Sequence, residues 1–111
     1  MRPDAVTPEL REEVIRLDGQ RCVARVVAPQ IGERIDACRN KWNTPVIATG
    51  RMPLPALTLD HVKDQPMMGK RAPSDVRHLV TICWHHHLNG WATAHRPALR
   101  AYLANRSGGS L

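Results

Sequence analysis

Residues 57–87 read LTLDHVKDQPMMGKRAPSDVRHLVTICWHHH, and the fold is decided there. LTLDHV, residues 57–62, predicts a short strand ending in the pair Asp60-His61. The basic, proline- and glycine-containing stretch that follows predicts a long loop with Lys63, Lys70 and Arg71 on it. HLVTIC, residues 78–83, is a second apolar run of strand length. WHHHLNGWATA, residues 84–94, has spacing that a helix can accept. Two strands and a helix that carry Asp60, His61, His78, Cys83, His86 and His87 describe a site more than a core. Five of the six histidines fall within residues 61–87.

Outward from this stretch, the chain has the size of one small domain. Its 111 residues include no Phe, and aromatics make up 4%. A core built on Leu, Val, Ile and Ala in so short a chain gains from a metal staple. No run approaches the roughly 18 apolar residues of a membrane span, and MRPDAVTPEL has no signal-peptide core. Three cysteines without an export signal point to metal ligation and a cytoplasmic setting more than to disulfides. The net charge of +6 is uneven. Residues 1–38 hold six Lys/Arg against seven Asp/Glu, and residues 39–111 hold ten against three. The basic half carries the histidines, which suits a polyanionic substrate.

Thr7-Pro8-Glu9 is a helix start, and Leu10, Val14 and Leu17 repeat along one face, so a helix is predicted over 8–17 and stopped by Gly19. Residues 21–27, RCVARVV, predict a short strand, and Val46 to Ala48 a very short one. Residues 40–56 otherwise suggest an irregular connection. PALRAYLA, residues 97–104, predicts a last helix, with residues 1–6 and 105–111 as flexible ends. Trp84 and Trp91, seven apart, predict one buried helical face. Four soft or borderline ligands can be assembled from Cys22, Cys38, Cys83 and His86 in a structural zinc set. His85 is the rival to His86, and Cys22 and Cys38 as ordinary buried thiols is the plainer alternative.

The segment 57–87 resembles the HNH endonuclease family, whose core is a ββα-metal finger. That pattern has a D-H or H-H pair ending a strand, an Asn (less often His) opening the second strand, and a His on the helix after a C-x-x-C knuckle. Here these positions fall on Asp60-His61, on His78 and on His87, with Cys83-Trp84-His85-His86 as the knuckle. The small, Arg-rich form is similar to the HNH proteins of tailed phages. The resemblance implies an α+β fold, a ββα finger with flanking helices and a structural zinc. It implies a single nuclease domain over 1–111 that cuts or nicks DNA and leaves 5′-phosphate and 3′-hydroxyl ends. By resemblance Asp60 and His87 hold Mg²⁺ or Mn²⁺, and His61 is the general base. His78 orients that base, binds metal or contacts phosphate. Lys63, Lys70, Arg71, Arg77, Arg96 and Arg100 are candidate DNA contacts, and a packaging terminase is a candidate partner in the host cytoplasm. A zinc-stabilised nucleic-acid-binding module without catalysis is the other reading. Neighbours on a regular strand face opposite sides, so Asp60 and His61 serve one site only where the strand ends or bulges.

Overall fold

The computed structural model describes residues 6–46, 53–62 and 74–108. The chain is a small α+β protein. Its elements are α1 (Pro8–Leu17), α2 (Ala24–Gln30), β1 (Leu57–His61), β2 (Leu79–Cys83), α3 (Trp84–Leu88), α4 (Trp91–Ala94) and α5 (Arg96–Gly108). Single 3-10 turns at Leu54–Ala56 and Val76–His78 lead into the two strands. The expected Lys63, Lys70 and Arg71 loop lies outside the described residues, as do residues 47 and 48 of the short strand predicted from Val46.

The strands pair antiparallel, with Leu57 opposite Cys83, Leu59 opposite Thr81 and His61 opposite Leu79. All five residues of β2 are buried. One face of the sheet lies on a cluster of Cys22, Val23, Val27, Val80, Ile82, Leu99 and Leu103. No helix among the described residues is long and apolar enough to cross a membrane.

Helix α1 has the predicted bounds. Thr7 Oγ1 accepts from Leu10 N at 3.1 Å, and Pro8 occupies the first turn. Its buried face differs from the predicted stripe: Val14 and Ile15 point inward, while Leu17 is exposed. Polar anchors at the two ends of that face set the rotation. Arg11 donates to the carbonyls of Leu54 and Leu57, and Asp18 accepts from Thr81 N on β2. The helix stops where Gly19 and Gln20 take φ values of 74° and 58°, in the left-handed region.

The strand expected over residues 21–27 is instead the approach to α2. Val23, Ala24, Val27 and Ala28 are all buried. Their i, i+1, i+4, i+5 spacing makes a helical stripe, and packing of that stripe overrides the local β preference of valine. WHHHLNGWATA also divides. Gly90 at φ 90° ends the continuity, leaving α3 and α4 as separate short helices. Trp84 and Trp91 therefore do not share a helical face, and both are only half-buried.

Helix α5 begins one residue before the predicted Pro97 and runs past the predicted Ala104 to Gly108. Arg106 is the reason. Its Nη1 donates to Asp18 Oδ1 at 2.7 Å, and its Nη2 donates to the carbonyls of Val76 and Leu79. Tyr102 adds a 2.6 Å hydrogen bond to the same Asp18 oxygen. Burial, together with the Asp18 carboxylate, pushes the Tyr102 hydroxyl well above its ordinary pKa. One buried carboxylate thus joins α1, β2 and α5.

Candidate metal centre and histidine site

Two groups of functional side chains flank α3. The first is buried. Cys22 precedes α2, Cys38 follows the 31–37 loop, Cys83 closes β2, and His86 lies on α3. One ligand atom from each of the four lies within 4.8 Å of the others. His86 Nδ1 is 3.1 Å from Cys83 Sγ and 3.8 Å from the sulfurs of Cys22 and Cys38. A tetrahedral zinc with Zn–S of ~2.3 Å and Zn–N of ~2.0 Å spaces its ligand atoms by roughly 3.5–3.8 Å. The group can therefore hold a metal ion with little movement.

Local chemistry explains how the four converge. Cys83 is the N-cap of α3, and its sulfur accepts from His86 N. That contact places residues three apart on one side of the helix start. Hydrogen bonds from the Cys22 and Cys38 thiols hold Cys83 far below the usual thiol range, while hydrogen bonds to Cys38 and Cys83, with burial, push Cys22 up. Burial alone would lower the pKa of His86; its contacts with Cys38 and Cys83 outweigh burial and raise it to about 9. The Cys22 thiol and the His86 imidazolium carry the protons that a divalent metal would displace, and the Cys83 thiolate is already a ligand form.

His85 faces away from the cluster. Its Nε2 lies 3.1 Å from Asp36 Oδ2, and this hydrogen bond holds the Asp36 carboxyl below its usual range. His95 makes a matching tie to Glu33 at 2.6 Å while stacking on Trp91. The two ties fasten the 31–37 loop, and so Cys38, against α3 and α4.

The second group lies between β1 and α3. Thr58 Oγ1 donates to Ile82 O at 2.7 Å, so its only proton is committed to the sheet. The same oxygen is 2.7 Å from His87 Nδ1. At that contact the imidazole must donate. Nδ1 therefore carries a proton, and the lone pair of the neutral ring sits on Nε2. Nε2 faces Asp60 Oδ1 at 3.6 Å.

Arg96 binds both oxygens of Asp60. Its Nη1 donates to Asp60 Oδ2 at 2.8 Å and to the His61 carbonyl, and its Nη2 donates to Asp60 Oδ1 at 3.4 Å. Arg96 is thus held at the end of β1 and is not a lone surface cation. Asp60 is buried, and its Oδ1 is shared between the Arg96 hydrogen bond and the His87 approach.

Comparison with known proteins gives no match to a family model, to a curated protein or to a solved structure.

Asp60 and His61 are the last two residues of β1 and make different contacts. Asp60 meets His87 and Arg96, whereas His61 Nε2 lies 2.8 Å from Ser74 Oγ. His78 is buried in the turn before β2, with Nδ1 2.7 Å from Asp75 Oδ1, and its carbonyl accepts from Val62 N. Arg77 is exposed and Arg100 half-buried. Thr58 and Asp75 were not singled out from sequence. Thr58 stands two residues before Asp60 on the same face of β1, so strand alternation would have found it.

Proposed function

We propose that this chain is a metal-dependent DNA endonuclease of the HNH type, with a zinc-stapled ββα core. The observation that carries the proposal is the 3.6 Å approach of His87 Nε2 to Asp60 Oδ1, with Thr58 fixing the imidazole tautomer. The order β1, β2, α3 along the chain supports the reading.

In this reading Asp60 and His87 hold Mg²⁺ or Mn²⁺. Such an ion shields the phosphate and stabilises the leaving 3′ oxygen. His61 takes the proton from the attacking water, as an imidazole near a pKa of roughly 6.5 can. Ser74 holds the His61 ring, and His78, fixed by Asp75, shapes the turn beside it. Arg77 and Arg100, with Lys63, Lys70 and Arg71, contact phosphates and supply affinity without sequence choice. Cys22, Cys38, Cys83 and His86 bind zinc. Four protein ligands leave no open position there, so this ion has a structural role. The setting we propose is a tailed phage acting in its host's cytoplasm, alongside the packaging terminase.

One observation favours a second reading, a zinc-stabilised nucleic-acid-binding module without catalysis. Arg96 already neutralises Asp60, as it would in a purely structural ion pair. Mn²⁺ titration of the zinc-loaded chain separates the two. The nuclease reading expects one additional Mn²⁺ per chain, lost in His87→Ala. The module reading expects none, and a wild-type protein that binds no second ion would remove the nuclease reading.

A further inference from the structure

Between Cys38 and Val46 the chain forms a tightly built loop. Arg39 and Pro45 make an isolated bridge, and Val46 N donates to Cys38 O at 3.0 Å. Asn40 Oδ1 accepts from Trp42 N at 2.9 Å and from Thr44 N at 3.2 Å. Asn43 takes φ 62°, a left-handed conformation that asparagine tolerates better than most residues. Arg39 Nη1 closes the loop on the Asn43 carbonyl. This rigid mount displays a Trp: Trp42 is 76% exposed, in a chain with three Trp and one Tyr. Lys41 Nζ sits 4.9 Å from the indole centroid and leaves most of the ring uncovered.

Beside the loop is a groove of about 300 Å³ lined by Asn40, Lys41, Asn43, Trp84, His85, Leu88 and Asn89. Leu88 is another of the exposed large apolar residues. The groove's polar groups are biased toward donors. The carboxamide oxygens of Asn40 and Asn89 are both engaged by backbone N–H groups, which leaves their NH₂ groups to face the groove, that of Asn89 also lying 3.4 Å from His85 Nε2. Lys41 adds a cation, and among the described residues no carboxylate lines the groove, the nearby Asp36 being bound to His85. An exposed aromatic plate with donors and a cation beside it fits a ligand with π faces and anionic links.

We propose that the Trp42 loop and this groove bind an unpaired nucleotide stretch of a nucleic acid, with a base stacked on Trp42 and its phosphates near Arg39 and Lys41. A duplex hides its base faces, so a stacking plate selects a strand whose bases are open. The inference takes from the proposed function only the choice of nucleic acid as ligand.

The test uses the zinc-loaded full chain with no Mg²⁺ or Mn²⁺ added, so that binding is read without cleavage. The probe is an oligothymidylate of about 15 nucleotides, followed by tryptophan fluorescence and by anisotropy. The expected result is quenching in the wild type, and affinity about tenfold lower in Trp42→Ala, within the range for a lost base stack. Trp42→Phe keeps the plate and should retain most of the affinity. Lys41→Ala should lower the salt slope by about 0.7, the value for one phosphate contact on a single strand. Trp42 is exposed, so an unchanged thermal transition is expected in each variant. Unchanged oligothymidylate affinity in Trp42→Ala overturns the inference. So does an equal loss on a duplex of the same length, or equal competition by polyglutamate. Trp42-dependent binding in a chain that never cleaves DNA leaves this inference standing and removes the nuclease reading. Cleavage that is indifferent to Trp42, with unchanged single-strand binding, does the reverse.

Discussion

Removing the metal from the Cys22, Cys38, Cys83 and His86 group should unfold the protein. The cluster joins the residue before α2, the end of the 31–37 loop, the end of β2 and α3. Three of its four ligands are members of the main hydrophobic cluster. Without a metal, a thiolate and an imidazolium remain in the core, and His86 Nε2 has no hydrogen-bond partner among the described residues. Structural zinc sites contribute about 10–16 kcal/mol of apparent binding energy at neutral pH. A domain's entire stability is about 5–15 kcal/mol. The metal term is therefore as large as the whole, and the chelated chain should lose its cooperative transition. Purified protein should contain about one zinc per chain. Cys38→Ala should lose zinc and melt like the chelated wild type. Affinity should fall with acidification, because protons compete for the sulfurs and for His86. Circular dichroism melts with and without chelator, beside metal analysis, give the readout. A metal-free chain with an unchanged transition refutes the reasoning.

Asp18→Ala should cost about 3–5 kcal/mol, because it leaves the buried Arg106 charge unpaired and the Thr81 N–H and Tyr102 hydroxyl unbonded. Urea unfolding of the zinc-loaded protein should show this as a lower midpoint with an unchanged slope, and a loss under about 1 kcal/mol, the scale of an exposed pair, would contradict it. Thr58→Val removes the hydroxyl that fixes the His87 tautomer and should weaken Mn²⁺ binding by about 10–100-fold, as loss of such a supporting partner does. Unchanged Mn²⁺ affinity in that variant would show that the tautomer argument is wrong. His85→Ala breaks only the tie to Asp36 and should leave Mn²⁺ binding near the wild-type level.

Much of the fold was legible where local signals and packing agree. Thr7-Pro8 and Gly19 marked α1, and the two apolar runs around residues 57–83 marked the sheet. The signals failed where tertiary contacts decide. Val23, Val26 and Val27 look like strand residues, yet the buried stripe that includes Ala24 and Ala28 makes α2. Leu17 belonged to a plausible stripe, but the anchors Arg11 and Asp18 turn α1 so that Ile15 is buried in its place. Nothing local pairs Asp18 with Arg106, 88 residues later, so the longer α5 was invisible. In the site, the four zinc-type ligands could be assembled by residue chemistry alone. The commitment of Arg96 to Asp60 could not, because a free surface arginine and a half-buried ion-pair arginine look alike in sequence.

The most direct test of the nuclease proposal is relaxation of supercoiled plasmid by zinc-loaded protein with Mg²⁺ or Mn²⁺, wild type beside His61→Ala. His61→Ala keeps Asp60 and His87, so the ion, the fold and DNA binding should survive. Cleavage should fall by roughly 10²–10⁴, the loss expected when a general base is removed. Wild-type protein that leaves the plasmid supercoiled, or a His61→Ala variant that relaxes it at the wild-type rate, contradicts the account.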